Sequence, residues 1–529
     1  MVMTPSAIKR FWADWRQRLP YRRYLDFEDR PRRLRAQFFS LLTLTSGGFY
    51  LYWLGGQAYQ TGELQAYVFL AAELLAYFLL LPLAFDVWHL RCHRPDGLRG
   101  RCNYSVDVFI TCCGEPLPII QTTLLAVKKL NYESYQVYVL DDRGLPAVAT
   151  VAQSLGFHYY SRPLQGVPLL NNKSGNLNFG LGLSQGEIVL VLDADQVPQP
   201  DIIRRMIGFF NFPRIAYVQS QQSFFLPDDD PFFNRDEIFY ETIQLSNDQA
   251  NAVISCGSGV LYRRQALEEI GGFITWNIVE DVTTSYELLS RGWKGIYFPY
   301  ILSRGLAPET LAGVWRQRFQ WCLDTMRLFF WDNPLLKRGL NLRQRLHFLV
   351  LMITYLISGV VLPIFYLMPL YCYYSGISFL YDQGWHFLVM RGAYLILTIW
   401  SFRYLFFKKA ALKQFKMLCG LFPVYALATL AALWYPPGRK PRYRVNNVTP
   451  WKETSSAVYL LPHLSLILLH LTLPFISMYS GWASLRLIAT NALFSAFTIW
   501  VLGEMVILGL QKPQWSSSTD PRLVYGFES

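Results

Sequence analysis

The chain has 529 residues, of which 52% are hydrophobic, 16% aromatic and only 16% charged, with a formal net charge of +12. The length allows more than one domain, and the composition is too apolar for an ordinary water-soluble protein. The positive charge lies in clusters beside apolar runs, as membrane topology requires, so a nucleic-acid partner is not expected.

A basic N-terminal segment, 1–37, comes first, with Lys9 to Arg35 including RRLR at 32–35. It is too long and too aromatic for a cleavable signal peptide. Six apolar runs reach the roughly 20 residues that a helix needs to cross a bilayer. They fall at 38–57, 66–90, 346–372, 386–407, 455–479 and 484–510. They divide the chain into paired spans at 38–90, 341–407 and 455–510 around a segment of globular composition, 91–340. Arg91, Arg94, Arg99 and Arg101 follow the second run. Lys408, Lys409, Lys413, Lys416 and GRKPRYR at 438–444 follow the fourth. The intervening loops QAYQTGELQ and SGISFLYDQGW carry no Lys or Arg. The positive-inside rule therefore puts 1–37, 91–340, 408–454 and the tail 511–529 in the cytoplasm. The eight cysteines show no metal-ligand spacing, and reduced thiols are expected.

In the middle segment, SVDVFITCC (105–113), QVYVLDD (136–142) and EIVLVLDAD (187–195) are short, apolar and β-branched, as buried strands are. Helical stretches stand between them: PIIQTTLLAVKKL after the first and KSGNLNFGLGLS before the third. This alternation predicts a mainly parallel sheet, whose ligands bind at the C-terminal strand ends. Glu115, Asp141, Asp142, Asp193 and Asp195 fall there. Asp is common in turns after strands, but two acidic turns together point to a site. Asp193 and Asp195 are two apart and project to one side of an extended strand end. That suits a hard cation, Mg²⁺ or Mn²⁺, bridging a phosphate. Further on, YELLSRG reads as a helix ending at Gly292 with Glu280 and Asp281 near its start, where capping alone also favours acids.

Together these pieces resemble the membrane-integrated, processive family-2 glycosyltransferases, most closely the catalytic subunit of bacterial cellulose synthase. The resemblance runs from about residue 40 to 510. It rests on VDVFITCCGEP, VLDDRG, KSGNLN, LVLDADQVP, VQSQQSFF, SCGSGVLYRR, IVED, ELLSRGWKG, LAPETL, QRFQW, NPLLKRGL and GRKPRYRV in the family's order. It implies an α/β GT-A (nucleotide-diphospho-sugar transferase) cytoplasmic domain inserted into an α-helical membrane domain of about six spans. It also implies roles. Glu115, Asp141, Asp142, Lys173 and Asp193 would bind the nucleotide sugar, and Asp195, with Asp193, the metal. Asp281, beside Glu280, would be the catalytic base. Cys256, Gly257 and Ser258 would line the acceptor end, with Gln317 and Trp321 of QRFQW beneath the acceptor sugar. Phe224 and Phe225 match the family's FF stretch, or simply pack in the core. QRFQW also reads as an interfacial amphipathic helix anchored by tryptophan.

The chain departs from the family at several points. Gln320 replaces the motif's diphosphate-binding Arg, and Gln carries no charge. Arg316, one turn earlier, or Arg318 is the candidate replacement. Asp324 stands where the family often has Gly, and Gln196 where it often has His. The gating segment aligns in two ways, through Tyr443 and Val445 or through Thr449 and Lys452. About 19 residues follow the last span, too few for a cyclic di-GMP-binding PilZ domain.

The expected function is an inverting transfer of glucose from UDP-glucose to a growing β-linked polysaccharide, coupled to export across the inner (plasma) membrane. The expected partners are a UDP-sugar, a polysaccharide or lipid acceptor, the bilayer and accessory export subunits. A non-processive transferase making a glycolipid such as glucosyl diacylglycerol, and a non-catalytic synthase subunit, are the alternatives.

Overall fold

A computed structural model of the chain describes residues 29–88, 103–227, 230–236, 239–381, 385–405, 411–441 and 457–511. Two helices open it, α1 (Asp29–Thr61) and α2 (Leu64–Trp88). The middle segment follows as β1 (Val106–Cys112), α3 (Leu117–Val127), β2 (Tyr135–Asp141), α4 (Pro146–Ser154), β3 (His158–Tyr160), α5 (Asn172–Leu183) and β4 (Ile188–Asp193). It continues through β5 (Val197–Pro198), α6 (Ile202–Met206), β6 (Ile215–Phe225), α7 (Gln244–Ala250), β7 (Val260–Arg263), α8 (Arg264–Glu269), α9 (Glu280–Ser290), β8 (Lys294–Leu306) and α10 (Leu311–Trp331). Helices complete the chain: α11 (Leu342–Leu356), α12 (Leu362–Ser375), α13 (Trp385–Leu405), α14 (Ala411–Gly420), α15 (Phe422–Trp434), α16 (Ala457–Ser480) and α17 (Leu485–Leu510).

The eight strands form one sheet in the order β3-β2-β1-β4-β7-β6-β8-β5. The three strands expected from sequence are its parallel half. β1 pairs parallel with both β2 and β4, and every residue of β1 is buried, which is why these strands read as continuous apolar runs. β7 is antiparallel to its neighbours, so the sheet is mixed. Register sets the site: Cys112 lies opposite Asp141, and Thr111 opposite Asp193, so the acidic strand ends stand at one level. Apolar clusters pack on both faces of the sheet, one around Val108, Ile110 and Leu190, the other around Phe109, Val191 and Tyr262. A third joins this domain to the helices, with Leu311, Val314 and Met326 of α10 packed on Val424, Ala428, Leu460 and Met505.

Four helices are long and apolar enough to cross a membrane: Leu64–Pro82, Leu342–Ser375, Val458–Ser480 and Leu485–Leu510. A fifth is formed if α14 and α15, bent by 50° at Gly420, count as one span. These helices mark a membrane protein. Among the described residues the number is thus four or five, where the sequence suggested six. The expected run 38–57 lies in α1, whose Gly47, Gly48, Gly55, Gly56 and Gln57 dilute its apolar character. The run 386–407 lies in α13, whose described apolar stretch, His386–Ser401, is short and carries Arg391. α1 and α13 pack on each other, with Thr43 Oγ1 and Ser401 Oγ 2.7 Å apart and Tyr50 stacked on Tyr394. The 408–454 stretch, expected in the cytoplasm, holds the strongly apolar α15, buried against α10.

Candidate active site

A cavity of about 470 Å³ opens at the C-terminal strand ends, between the sheet, α9 and α10. Glu115, Asp142, Lys173, Asp193, Asp195, Cys256, Glu280, Asp281, Gln317, Gln320 and Trp321 all face it. Residues spread over more than 200 positions of sequence thus converge on one space.

The loops that end β1 and β2 shape its floor. Glu115 folds back so that its Oε2 accepts the Cys113 N–H at 2.6 Å, and burial raises its carboxyl pKa. The DDRG turn divides its two acids. Asp141 does not line the cavity. It is fully buried, and its oxygens accept from the Arg143 N–H, the Leu145 N–H and the Tyr159 hydroxyl, each at 2.8 Å. The expected nucleotide ligand is therefore the residue that builds the turn. Asp142 does face the cavity, but both its oxygens are held in a fork by Arg162, at 2.8 and 2.6 Å. Arg162 also donates to the carbonyls of Leu170 and Asn172. That ties the loop before α5 to the DDRG turn.

Lys173 enters from the first turn of α5. The two residues before it, Asn171 and Asn172, are left-handed, and a Cβ on Gly175 would stand 2.0 Å from the Leu170 carbonyl oxygen. The Gly of KSGN is thus required by close backbone approach. Lys173 Nζ contacts Asp193 Oδ1 at 2.6 Å, Glu280 Oε1 at 3.3 Å and the Gly257 carbonyl at 2.8 Å. It joins the DAD turn to the Glu280–Asp281 pair. Those acids raise its pKa well above the ordinary value and outweigh burial, which acts the other way.

Glu280 and Asp281 begin α9 and are buried. Burial first, then Glu280, raises the Asp281 carboxyl far above its usual range, and Lys173 opposes the rise. Asp281 Oδ1 accepts the Val282 N–H at 2.6 Å. Of the three expected acceptor-end residues only Cys256 lines the cavity. Gly257 packs directly behind Asp281, and Ser258 is buried, its Oγ accepting the Asp193 N–H at 2.9 Å.

α10 is capped by Thr310, whose hydroxyl accepts the Gly313 N–H. Gln317, Gln320 and Trp321 fall at i, i+3 and i+4 and share the cavity face. Neither Arg316 nor Arg318 does. Arg316 Nε turns back to the Ala312 carbonyl at 3.3 Å. Arg318 pairs with Asp236 at 2.9 Å and lies over the Trp321 ring at 4.7 Å. Its charge is thus engaged by Asp236 and the indole face, away from the cavity wall. The cations lining the cavity are Arg143, Arg162 and Lys173.

Sequence reasoning missed Arg143, Arg162 and Gln222 as wall residues. Arg143 was visible within DDRG, whereas Arg162 follows a three-residue strand and belongs to no motif. Phe224 lines the cavity as well. Gln196 is buried there with its Oε1 unpaired. Tyr443, Val445, Thr449 and Lys452 lie outside the described residues. The basic segment before them is described to Pro441, and Lys440 Nζ donates to Asn171 Oδ1 at 2.5 Å.

Burial, Asp193 and Glu115 push the Asp195 carboxyl up to about 7, which a nearby cation would relieve. Among the described residues no three His, Cys, Asp or Glu side chains are grouped to hold a metal by themselves. Asp193 and Asp195 supply carboxylate oxygens, the donors a hard cation prefers, and a cation held there would need further oxygens from a bound ligand.

The family model described as glycosyltransferase like family 2 matches residues 104–323, and the cellulose synthase model matches 268–408. The two matches overlap and together cover residues 104–408. It is 33% identical over 329 residues to the UDP-forming cellulose synthase catalytic subunit of Xanthomonas axonopodis pv. citri, covering 58% of this chain and 44% of that one. It is 33% identical over 301 residues to the cellulose synthase 1 catalytic subunit of Komagataeibacter xylinus, covering 54% and 40%. The chain thus spans less than half the length of these curated relatives. In fold it is similar to a mannosyltransferase of Pyrobaculum calidifontis, solved with GDP-Man and Mn²⁺. The TM-score is 0.51 at 16% identity, over 69% of this chain and 99% of that one. The glycosyltransferase domain therefore has a GT-A-like fold.

Proposed function

We propose that the protein is a membrane-embedded inverting glycosyltransferase that extends a β-linked glucan from UDP-glucose and exports it. The observation that carries this reading is the convergence of Asp281, Lys173, the DAD acids and Trp321 on one cavity beside the membrane helices. Asp281 is the base. It takes the proton of the acceptor hydroxyl as that oxygen bonds to the anomeric carbon, and the bond from that carbon to the diphosphate breaks, releasing UDP. Its raised pKa brings it nearer the operating pH, where a base works best. Lys173 keeps the Glu280–Asp281 pair and Asp193 in register. Trp321 offers a flat apolar face to the sugar at the chain end, with Gln317 beside it. The likeness to UDP-forming cellulose synthases favours UDP-glucose and a polymer product.

Asp195 and Asp193 are the residues that would hold a divalent cation, Mg²⁺ or Mn²⁺. It would neutralise the departing diphosphate. The basic clusters favour a catalytic domain on the cytoplasmic side of the membrane; the inner membrane, and accessory export subunits as further partners, belong to the same reading.

The test is to purify the full chain in detergent and supply radiolabelled UDP-glucose with Mn²⁺ or Mg²⁺. Label in an insoluble chain that linkage-specific glucanases digest is the expected result, and Asp281→Asn should abolish it. Label in lipid would make the enzyme a glycolipid transferase. No turnover in a folded, UDP-binding protein would make it a non-catalytic subunit.

A further inference from the structure

Asp324 is, with Gln320, a departure from the motif on α10, yet it is heavily engaged by its surroundings. It is 4% exposed, and Arg327, one turn on, is 0% exposed. One Asp324 carboxylate oxygen accepts the Ile278 N–H at 3.2 Å, and the other accepts the Val279 N–H at 2.8 Å. These are the two residues immediately before Glu280 and Asp281. Both line the cavity, and Val279 precedes α9 with no side-chain cap of its own. Asn277 Nδ2 donates to the Asp324 carbonyl at 3.1 Å and also to Thr283 Oγ1 at 3.1 Å, which binds the same loop to the first turn of α9.

Arg327 closes the arrangement. Nη1 donates to Asn277 Oδ1 at 2.8 Å, and Nη2 to the Trp276 carbonyl at 3.1 Å. Nε donates to the Tyr435 carbonyl at 2.8 Å, just past the end of α15. Nη2 also reaches the carbonyls of Pro436 and Arg439. The planar guanidinium can serve several carbonyls at once, which an ammonium cannot. One face of α10 thus grips the loop leading to the base and the turn leaving α15. The next face carries Trp321.

We propose that Asp324 and Arg327 are positioning residues that hold the Ile278–Val279 backbone, and through it the Asp281 carboxylate, at a fixed setting against the Trp321 platform. This rests on the reading of Asp281 as the base. Neither residue touches the donor, since neither lines the cavity. Their effect belongs to the chemical step and not to donor binding.

Full-length Asp324→Asn and Asp324→Ala enzymes in detergent test the idea by UDP release from UDP-glucose. Asn keeps one acceptor oxygen but turns an NH₂ group toward a backbone N–H; Ala keeps none. Because displacement of a reacting group by about 1 Å costs roughly a hundredfold, kcat should fall about tenfold to a hundredfold, Ala below Asn. The donor KM should stay within about twofold, the signature of an interaction made only in the transition state. Arg327→Lys, which keeps the charge but loses the fork, should show the same split, and it serves if the Asp324 variants do not fold. Wild-type kcat in any folded variant, or a loss carried by KM or by UDP affinity, overturns the proposal. Asp281→Asn is assayed alongside. If it is inactive while Asp324→Asn is fully active, the positioning role fails and the base stands. If Asp281→Asn turns over normally, the base assignment fails and the positioning role falls with it.

Discussion

Gly257→Ala isolates the geometry behind Asp281. Gly257 has φ of +76°, a left-handed conformation that costs an L-residue about 1–2 kcal/mol. A Cβ there would stand 3.0 Å from Asp281 Oδ2 and 3.2 Å from Lys173 Nζ. Both contacts are too tight to keep, so the carboxylate and ammonium must retreat by a few tenths of an ångström. If 1 Å of misplacement costs roughly a hundredfold, that retreat costs about threefold to tenfold in kcat. The stability loss is a small part of the roughly 5–15 kcal/mol of a typical domain, so the protein remains folded. The assay pairs thermal melting in detergent with Michaelis analysis of UDP release. A lowered melting temperature with unchanged kcat would refute the reasoning, because it would mean that the Asp281–Lys173 spacing is not used in the transition state.

The raised Asp281 pKa predicts that activity falls on acidification at a pH well above that of an ordinary carboxylate, read as the acidic limb of kcat/KM against pH. The same burial makes ionised Asp281 a destabilising group. With its folded pKa above the unfolded one, its ionisation costs stability as pH rises above the ordinary value near 3.8, and protonation relieves that cost. Gln320→Arg adds a charged donor to the cavity wall and should tighten UDP binding about tenfold by calorimetry, the worth of one charge-assisted hydrogen bond; unchanged affinity would mean that the diphosphate lies elsewhere. Within the helices, Arg391 Nε and Tyr50 both donate to the buried Glu73 Oε1, at 2.7 and 3.1 Å. Arg391→Met should therefore destabilise the protein by about 3–5 kcal/mol, with Glu73→Gln in the same chain recovering most of the loss. Detergent melting of the single and double variants checks this, and a single variant as stable as the wild type would sink it.

The parallel half of the sheet was legible in the sequence because β1, β2 and β4 are short apolar runs ending in acids. The antiparallel half was not. β6 begins IAYVQSQQ, and its Gln219 is fully buried and spends its amide on Ser220, Ser258 and Cys256. Polar side chains satisfied by distant backbone leave no periodic trace. The same reason explains Asp141 and Asp142, since sequence places two acids at a strand end but not their partners. Only the fold brings Arg162 and Tyr159 against them and turns one acid inward. Gln317 and Trp321 were readable through the family resemblance, and their spacing of four on a helix agrees with a shared face. The roles of Arg316 and Arg318 were not, because Asp236, which claims Arg318, lies 82 residues away.

The charge of the cavity links the departures from the motif. Six carboxylates line it, from Glu115, Asp142, Asp193, Asp195, Glu280 and Asp281, against three cations, Arg143, Arg162 and Lys173. Arg162 is consumed by Asp142, and Lys173 is shared among Asp193 and the Glu280–Asp281 pair. No cation on the wall is left uncommitted beyond Arg143. A nucleotide diphosphate entering such a space meets repulsion that hydrogen bonds from Gln320 cannot offset, because burying unneutralised like charges costs several kcal/mol. An enzyme with the motif's Arg carries part of the compensating charge itself. Here Gln320 would leave that burden to a cation held by Asp195 and Asp193, while Asp324, the other departure, is neutralised behind the wall by backbone N–H groups and Arg327. On the proposed reading, metal and donor would bind as one unit.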